Sequence, residues 1–495
     1  MENKNKKNRR NTKNSKNSKN TRPDKGGRNY RKPEIKEEKL LNLPVKLGQV
    51  YEIKIESLGS SAEGVGRVQG FTVFVNGALP DEVVKVQITE LKKSYATGKL
   101  LEVMEKSPDR AEPKCPIYAE CGGCQLQHMT YEGQLKVKQQ QVIDAMTRIG
   151  HQKNLPVLPT MGAENPWNYR NKVAFPVGKE KGKIQIGCFS QGTHKIIDAS
   201  NCLIQDQLNN DAINAVREVV EKLGIPVYDE DKHKGVIRHV VARTGKDNKL
   251  MVVLVTATEE LRNEKEIVRM LRNKLPNMVS LQQNIQTYRN NVILGRETKL
   301  LWGKPTIKAQ LGRLSFNISA RSFFQVNTKQ AEVLYDKALE FANLTGKETV
   351  IDAYCGTGTI SLYLAQKARK VYGVEIVSPA IKDAEKNARE NNVKNAEFIV
   401  GDCTAVMPRL YKQGIRPDVV VVDPPRAGCT ETVLKTFADM KPDRIVYVSC
   451  NPATLARDIE ILDGLGYKAE KVQPVDMFSA SSHVENVALI NRVEK

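Results

Sequence analysis

No apolar run in this chain is long enough to cross a membrane. The longest, such as LMVVLVTA at 250–257, are strand-length, far short of the ~20 residues that a spanning helix needs. No apolar stretch follows the basic N-terminus, so no secretory signal is read there. Acidic and hydrophobic residues are almost missing from residues 1–32. That segment holds thirteen Lys and Arg against Glu2 and Asp24, with Met1 and Tyr30 as its only hydrophobic side chains. It cannot bury enough apolar surface to offset the entropy of ordering. A disordered basic tail is therefore expected over 1–40, suited to a polyphosphate partner. No internal repeat is visible. With membrane and secreted classes set aside, nine cysteines argue for thiols, a metal site or catalysis in the reducing cytoplasm, rather than for disulfides.

What is present divides into segments. A length of 495 residues suggests about three domains. Residues 41–104 read as an all-β module of short alternating strands broken by Gly or Asn-Gly, which suits a small barrel. In GVGRV (64–68), VFVNGALPDEVV (73–84) and SYATGKLLEV (94–103) it resembles the TRAM domain, an OB-like RNA-binding barrel. Residues 130–150 predict a helix with Leu135, Val142, Met146 and Ile149 on one face and Gly150 as its stop. A central α+β domain is expected over 105–325, with helices near 206–223 and 259–274. From 326 to 495 the pattern turns to βαβα, which argues for a parallel sheet with helices on both faces, a Rossmann-like α/β fold.

Within that last segment, VIDAYCGTGTISL (350–362) runs from an apolar strand through Gly356-Thr357-Gly358 into a helix. Glycines there let the backbone approach a ligand closely. Glu375 ends the next strand 19 residues after Gly356, where an acceptor for a ribose diol belongs. Asp402 and Asp423 end the two strands that follow. Each such acid alone is more often a helix N-cap; the series points to one crevice. The third glycine of the pyrophosphate fingerprint is missing, which favours S-adenosylmethionine over a dinucleotide.

The strand IVYV (445–448) breaks at Ser449-Cys450-Asn451-Pro452, so Cys450 sits where ligands bind in an open α/β sheet. An isolated free cysteine is usually a small buried hydrophobe; the neighbouring motifs make this one a candidate nucleophile. DPPR (423–426) carries Arg426 where methyltransferases of exocyclic amino groups carry an aromatic residue. A thiol solves a different problem. C5 of uracil is too weak a nucleophile to take a methyl group until a thiolate adds at C6. A base must then remove the C5 proton so that the cysteine can leave. Glu485, 35 residues after Cys450 on a segment returning to a VALI strand, is the candidate base, and His483 stands nearby.

Taken together, FFQVN (323–327), DAYCGTGTISL, VYGVEI, VVDPPRAGC (421–429), YVSCNPATLARD (447–458) and VDMF…HVE (475–485) resemble the RNA uracil-5-methyltransferase family from about residue 44 onward. The resemblance implies Cys450 as nucleophile, Glu485 as base, and Gln325, Tyr354, Glu375 and Asp423 as positions that bind S-adenosylmethionine. Phe-Ser-Ala-Ser replaces the Phe-Pro-x-Thr that often precedes the family's histidine, which leaves the contacts of that loop open.

Cys115-x5-Cys121-Gly-Gly-Cys124 gives three close thiols. An all-cysteine site needs a fourth, with Cys188 and Cys202 as the choices. A zinc ribbon lacks its second C-x2-C pair here, and the C-x3-C-x2-C spacing of radical enzymes is absent. The pattern is similar to the [4Fe-4S] site of the 23S ribosomal RNA branch of the family. That likeness implies Cys115, Cys121, Cys124 and Cys202 as ligands and makes 105–325 an iron–sulfur domain. The expected activity is methylation of C5 of uridine in 23S ribosomal RNA, with tRNA as the alternative substrate and an idle RNA-binding assembly factor as the alternative class. No membrane and no obligate protein partner is expected.

Overall fold

A computed structural model describes residues 43–493. The basic tail expected over 1–40 lies outside these residues. Alternating valines and isoleucines close the first module into a barrel of β1 (Val50–Leu58), β2 (Gly64–Val68), β3 (Phe71–Val75), β4 (Val83–Leu91) and β5 (Tyr95–Glu105), ordered β1-β2-β3-β5-β4. Ile53, Ile55, Val73, Val75, Val84 and Val86 fill its interior. A fully buried Glu82 ties the barrel to the following segment by accepting two bonds from Arg110, one at 2.7 Å. Such a bidentate pair fixes orientation as well as adding energy.

The helix expected over 130–150 is α1 (Tyr131–Arg148), capped by Thr130. Its buried face differs from the apolar pattern. Ile149 is 41% exposed, whereas Gln134 and Lys138 are buried with Val142 and Met146. Polar partners on a neighbouring loop, not apolar periodicity, decide that face. The chain then builds a seven-stranded sheet in the order β12-β11-β10-β9-β6-β7-β8. Its strands are β6 (Lys172–Glu180), β7 (Lys183–Phe189), β8 (Ile196–Asp198), β9 (Ile237–Thr244), β10 (Leu250–Thr256), β11 (Met278–Ile285) and β12 (Glu297–Gly303). Helices α2 (Gln207–Lys222) and α3 (Glu264–Lys274) share one apolar core with it. The hairpin β13 (Ile307–Leu311) and β14 (Leu314–Ile318) instead packs its apolar residues with the sheet that follows.

That last sheet is laid down by α4 (Thr328–Ala342), β15 (Thr349–Ala353), α5 (Thr359–Ala365), β16 (Lys370–Glu375), α6 (Ser378–Glu390), β17 (Ala396–Val400) and α7 (Cys403–Lys412). The chain continues through β18 (Val419–Val422), α8 (Glu431–Asp439), β19 (Arg444–Ser449), α9 (Pro452–Gly464), β20 (Tyr467–Val475) and β21 (Glu485–Arg492). The strand order is β17-β16-β15-β18-β19-β21-β20. Strands β15 to β19 are parallel, as the alternation predicts, and their runs of valine are buried because helices cover both faces. The parallel rule stops at β21, which pairs antiparallel with both β19 and β20 because a hairpin, not a helix, leads into it. Order reverses between β15 and β18, a switch point that opens a crevice beyond the carboxyl ends of the strands.

Candidate active site

A crevice of about 880 Å³ lies at that switch point, and six side chains named from the sequence line it: Gln325, Tyr354, Glu375, Asp423, Cys450 and Glu485. Four are set by parallel strands. Tyr354 follows β15, Glu375 ends β16, Asp423 follows β18 and Cys450 follows β19. Glu485 reaches the same edge for the opposite reason: it is the first residue of an antiparallel strand. Ser449 pairs with Asn486 across β19 and β21. Cys450 and Glu485 lie one residue beyond that last pair, and both line the crevice. Asp402 does not join the series. It caps α7 through a 2.8 Å bond from the Thr404 amide, so the cap is its role and it is absent from the crevice lining.

The glycine loop shows where a ligand approaches. Gly356 has φ +54°, and a Cβ added there meets nothing within 4 Å. It faces open crevice. Gly358, at φ +80°, is pinned instead, since a Cβ would come 2.9 Å from Ala384 and Phe398. Tyr354 holds φ +64° without being glycine or asparagine, a backbone strain of the kind that gathers at ligand sites. Glu375 accepts the amides of Gly356 (3.2 Å) and Val377 (2.8 Å), which fixes its carboxylate and leaves lone pairs for hydroxyl donors.

Electrostatics divide the crevice. Burial pushes the Glu485 carboxyl up to about 8, with the Asp423 charge adding and Arg426 opposing. Asp423 lines the crevice, and burial raises it to about 7. Burial, with Glu485 and Asp423 adding and Arg426 opposing, brings the Cys450 thiol up to about 11. His483 is lowered by burial and by Arg426, Lys138 and Arg170, all of which favour its neutral form. A thiol, a buried carboxyl group of raised proton affinity and a flanking guanidinium thus share one crevice.

Residues 130–493 match the family described as tRNA (uracil-5-)-methyltransferase, and residues 44–101 match the TRAM domain. The chain belongs to the RNA uracil-5-methyltransferase family. A Halalkalibacterium halodurans protein described as an uncharacterized RNA methyltransferase is 52% identical to it over 448 residues, covering 90% of this chain and 98% of that one. A Bacillus cereus protein of the same description is 51% identical over 453 residues, covering 91% and 98%. The solved structure of Pyrococcus abyssi tRNA (uracil-54, C5)-methyltransferase with S-adenosyl-L-homocysteine has a TM-score of 0.72 at 30% identity, covering 89% of this chain and 99% of that one. The chain is thus an S-adenosylmethionine-dependent RNA uracil-5-methyltransferase, with RNA as its substrate class. The open Gly356 cradle and the fixed Glu375 fit that cofactor. Among the described residues no helix is long and apolar enough to cross a membrane.

A second cavity of this methyltransferase, about 700 Å³, is lined by Cys115, Cys121, Cys124, Cys188 and Cys202. It adjoins the first, with which it shares Gly122, Gly123, Arg170, Ile204 and Val326. A hydrogen bond from Cys188 brings the Cys121 thiol down to about 6. Burial raises Cys124 to about 12 and lifts Cys115 and Cys202 as well. Among the described residues no three His, Cys, Asp or Glu groups converge closely enough to hold a single metal ion. Five thiols nevertheless share this one cavity, and thiolate is the donor type that iron–sulfur clusters take.

Sequence reasoning missed Tyr169 and Arg170, which line the crevice from the 105–325 region. It also missed Lys138 and Asp476, a fully buried ion pair. A lysine inside the apolar stripe of α1 is the signal that could have found the pair.

Proposed function

We propose that this chain methylates C5 of uridine in 23S ribosomal RNA in the cytoplasm, with Cys450 as nucleophile and Glu485 as base. The observation that carries the reading is that Cys450, just past the end of β19, and Glu485, the first residue of β21, line one crevice. Cys450 Sγ, as thiolate, adds to C6 of a base splayed out of an RNA loop, and the uracil becomes an enolate nucleophilic at C5. Bound S-adenosylmethionine supplies the methyl group that C5 takes. Gln325, Tyr354, Glu375 and Asp423 hold that cofactor, and Arg426 favours the thiolate. Glu485 then removes the C5 proton; burial gives its carboxylate the proton affinity that a strong base requires. The C5–C6 double bond re-forms and the sulfur departs.

Cys115, Cys121, Cys124 and Cys202 hold a [4Fe-4S] cluster in this reading. The cluster supplies structural cross-linking of the RNA-binding part, since methyl transfer needs no electron. The tail (1–40), the barrel (41–104) and the 105–325 region grip the RNA backbone, and 326–495 carries the chemistry. Support for 23S RNA comes from the Cys-x5-Cys-Gly-Gly-Cys pattern beside a TRAM barrel. A tRNA substrate is the second reading, favoured by the Pyrococcus abyssi structure, whose protein acts on tRNA.

Tritium release from C5-tritiated uridine separates the two. Release with 23S RNA alone, abolished by Cys450→Ala, is expected. Release with tRNA alone overturns the substrate and keeps the chemistry. Release from neither, with cofactor-binding protein, overturns both.

A further inference from the structure

The base Glu485 sits at one end of a hairpin loop that is bonded to α1 near its other end. Val475 pairs with Glu485 across β20 and β21, and residues 476–484 close the turn between them. A loop of this length does not hold its own shape by turn chemistry alone. Its first residue, Asp476, is fully buried and so is Lys138 at mid-α1. Lys138 Nζ lies 2.5 Å from Asp476 Oδ1 and donates to the Phe478 carbonyl at 3.1 Å. The other Asp476 oxygen accepts Tyr131 Oη and Ser479 Oγ, both at 2.7 Å. One turn before Lys138, Gln134 Oε1 accepts the amide of Ala480 at 2.9 Å, and Ala480 holds φ +64°. His483, on the crevice rim, packs edge-on against Phe478 at 6.2 Å.

Every side-chain bond from α1 to this loop thus ends on residues 476–480. Neither Lys138 nor Asp476 lines the crevice, so neither reaches a bound base or cofactor. Two charges taken out of water are costly unless they are well paired, and removing one partner leaves the other stranded. A buried pair is therefore well suited to specify one arrangement of a polar loop.

We propose that Lys138, through its ion pair with Asp476, is a positioning residue that sets Glu485 for removal of the uracil C5 proton. The inference rests on the proposed role of Glu485. Cys450 shares the β19–β21 ladder with Glu485, but it lies between β19 and the α9 cap, where Asn451 accepts the Ala453 amide, and not on the 476–484 loop. Loosening the loop accordingly leaves thiolate addition and methyl transfer in place. It slows only the last step, in which Glu485 takes the C5 proton, the electron pair of that C–H bond forms C5=C6, and Cys450 Sγ leaves C6 as thiolate.

The test is a partition between steps. Lys138→Met and the milder Tyr131→Phe are compared with Glu485→Gln, using 23S RNA fragments and radiolabelled S-adenosylmethionine in single and multiple turnover. A denaturant-stable, methyl-labelled protein–RNA complex is counted on gels. Glu485→Gln should trap that complex. Lys138→Met should trap it too, with first-turnover methyl transfer near wild type and steady-state turnover down about 10-fold or more, within the range that a general base contributes. Tyr131→Phe should show the same partition to a smaller extent, and it reads the proposal if Lys138→Met fails to fold. Equal loss of methyl transfer and turnover without a trapped complex, or wild-type turnover in both variants, overturns the positioning role. If Glu485→Gln itself traps nothing, the base assignment has failed instead.

Discussion

Arg426 lowers the proton affinity of Cys450, against burial and two carboxyl groups that raise it. The guanidinium forms no hydrogen bond or ion pair among the described residues, so its field acts on the crevice undiverted. Arg426→Gln should move the pH profile of methyl transfer toward alkaline values. A shift of a few tenths to about one pH unit is expected, because the group is exposed and solvent screens it. Single-turnover rates between pH 6.5 and 9.5 check it; an unmoved profile contradicts the electrostatic role.

Carboxyl groups make the empty fold pH-sensitive in an unusual direction. Folding lifts Glu485 to about 8 from 4.5 and Asp423 to about 7 from 3.8. Between those limits the folded state binds more protons than the unfolded one, so stability falls as pH rises. Each group contributes a slope near ~1.4 kcal/mol per pH unit where only the folded form is protonated. Urea midpoints at pH 5, 6.5 and 8 should fall in that order for the apo enzyme, and Glu485→Gln should flatten the fall.

Two neighbouring glycines should respond differently to alanine. Gly358→Ala meets Ala384 and Phe398 in a packed wall as well as a left-handed backbone, and a loss of ~2–5 kcal/mol is expected. Gly356→Ala meets open space, so only the left-handed strain of about 1–2 kcal/mol remains. The added methyl group there points where the cofactor approaches. Calorimetry should show S-adenosylhomocysteine binding weakened in Gly356→Ala despite the smaller loss of stability.

The proposed cluster makes Cys202 and Cys188 unequal although both line the same cavity. Anaerobically prepared Cys202→Ser should lose bound iron and sulfide, whereas Cys188→Ser should retain them. The reverse pattern exchanges the fourth ligand between the two thiols.

The crevice was legible in the sequence because strand ends announce themselves. A valine run that stops at Asp423 or Cys450 places the next side chain at the sheet edge whatever the rest of the fold does. Barrel and helix boundaries followed from the same local periodicity. What local pattern could not supply was partnership across distance. Ile149 fits the apolar stripe of α1 yet is exposed, and Lys138 breaks the stripe yet is buried. The partner that buries Lys138, Asp476, is 338 residues away. Asp402 failed as a site residue for the complementary reason: its local cap satisfied it before the crevice could claim it.

That separation also sets an order of assembly. Tyr131, Gln134 and Lys138 are bonded to Asp476 and Ala480 across 345, 346 and 338 residues. Contacts this distant in the chain close slowly, after local structure has formed. The barrel, the central sheet and the β15–β19 ladder can all take shape while α1 still carries an unmatched lysine. Docking of the Glu485 hairpin on α1 is therefore expected among the slower steps of folding.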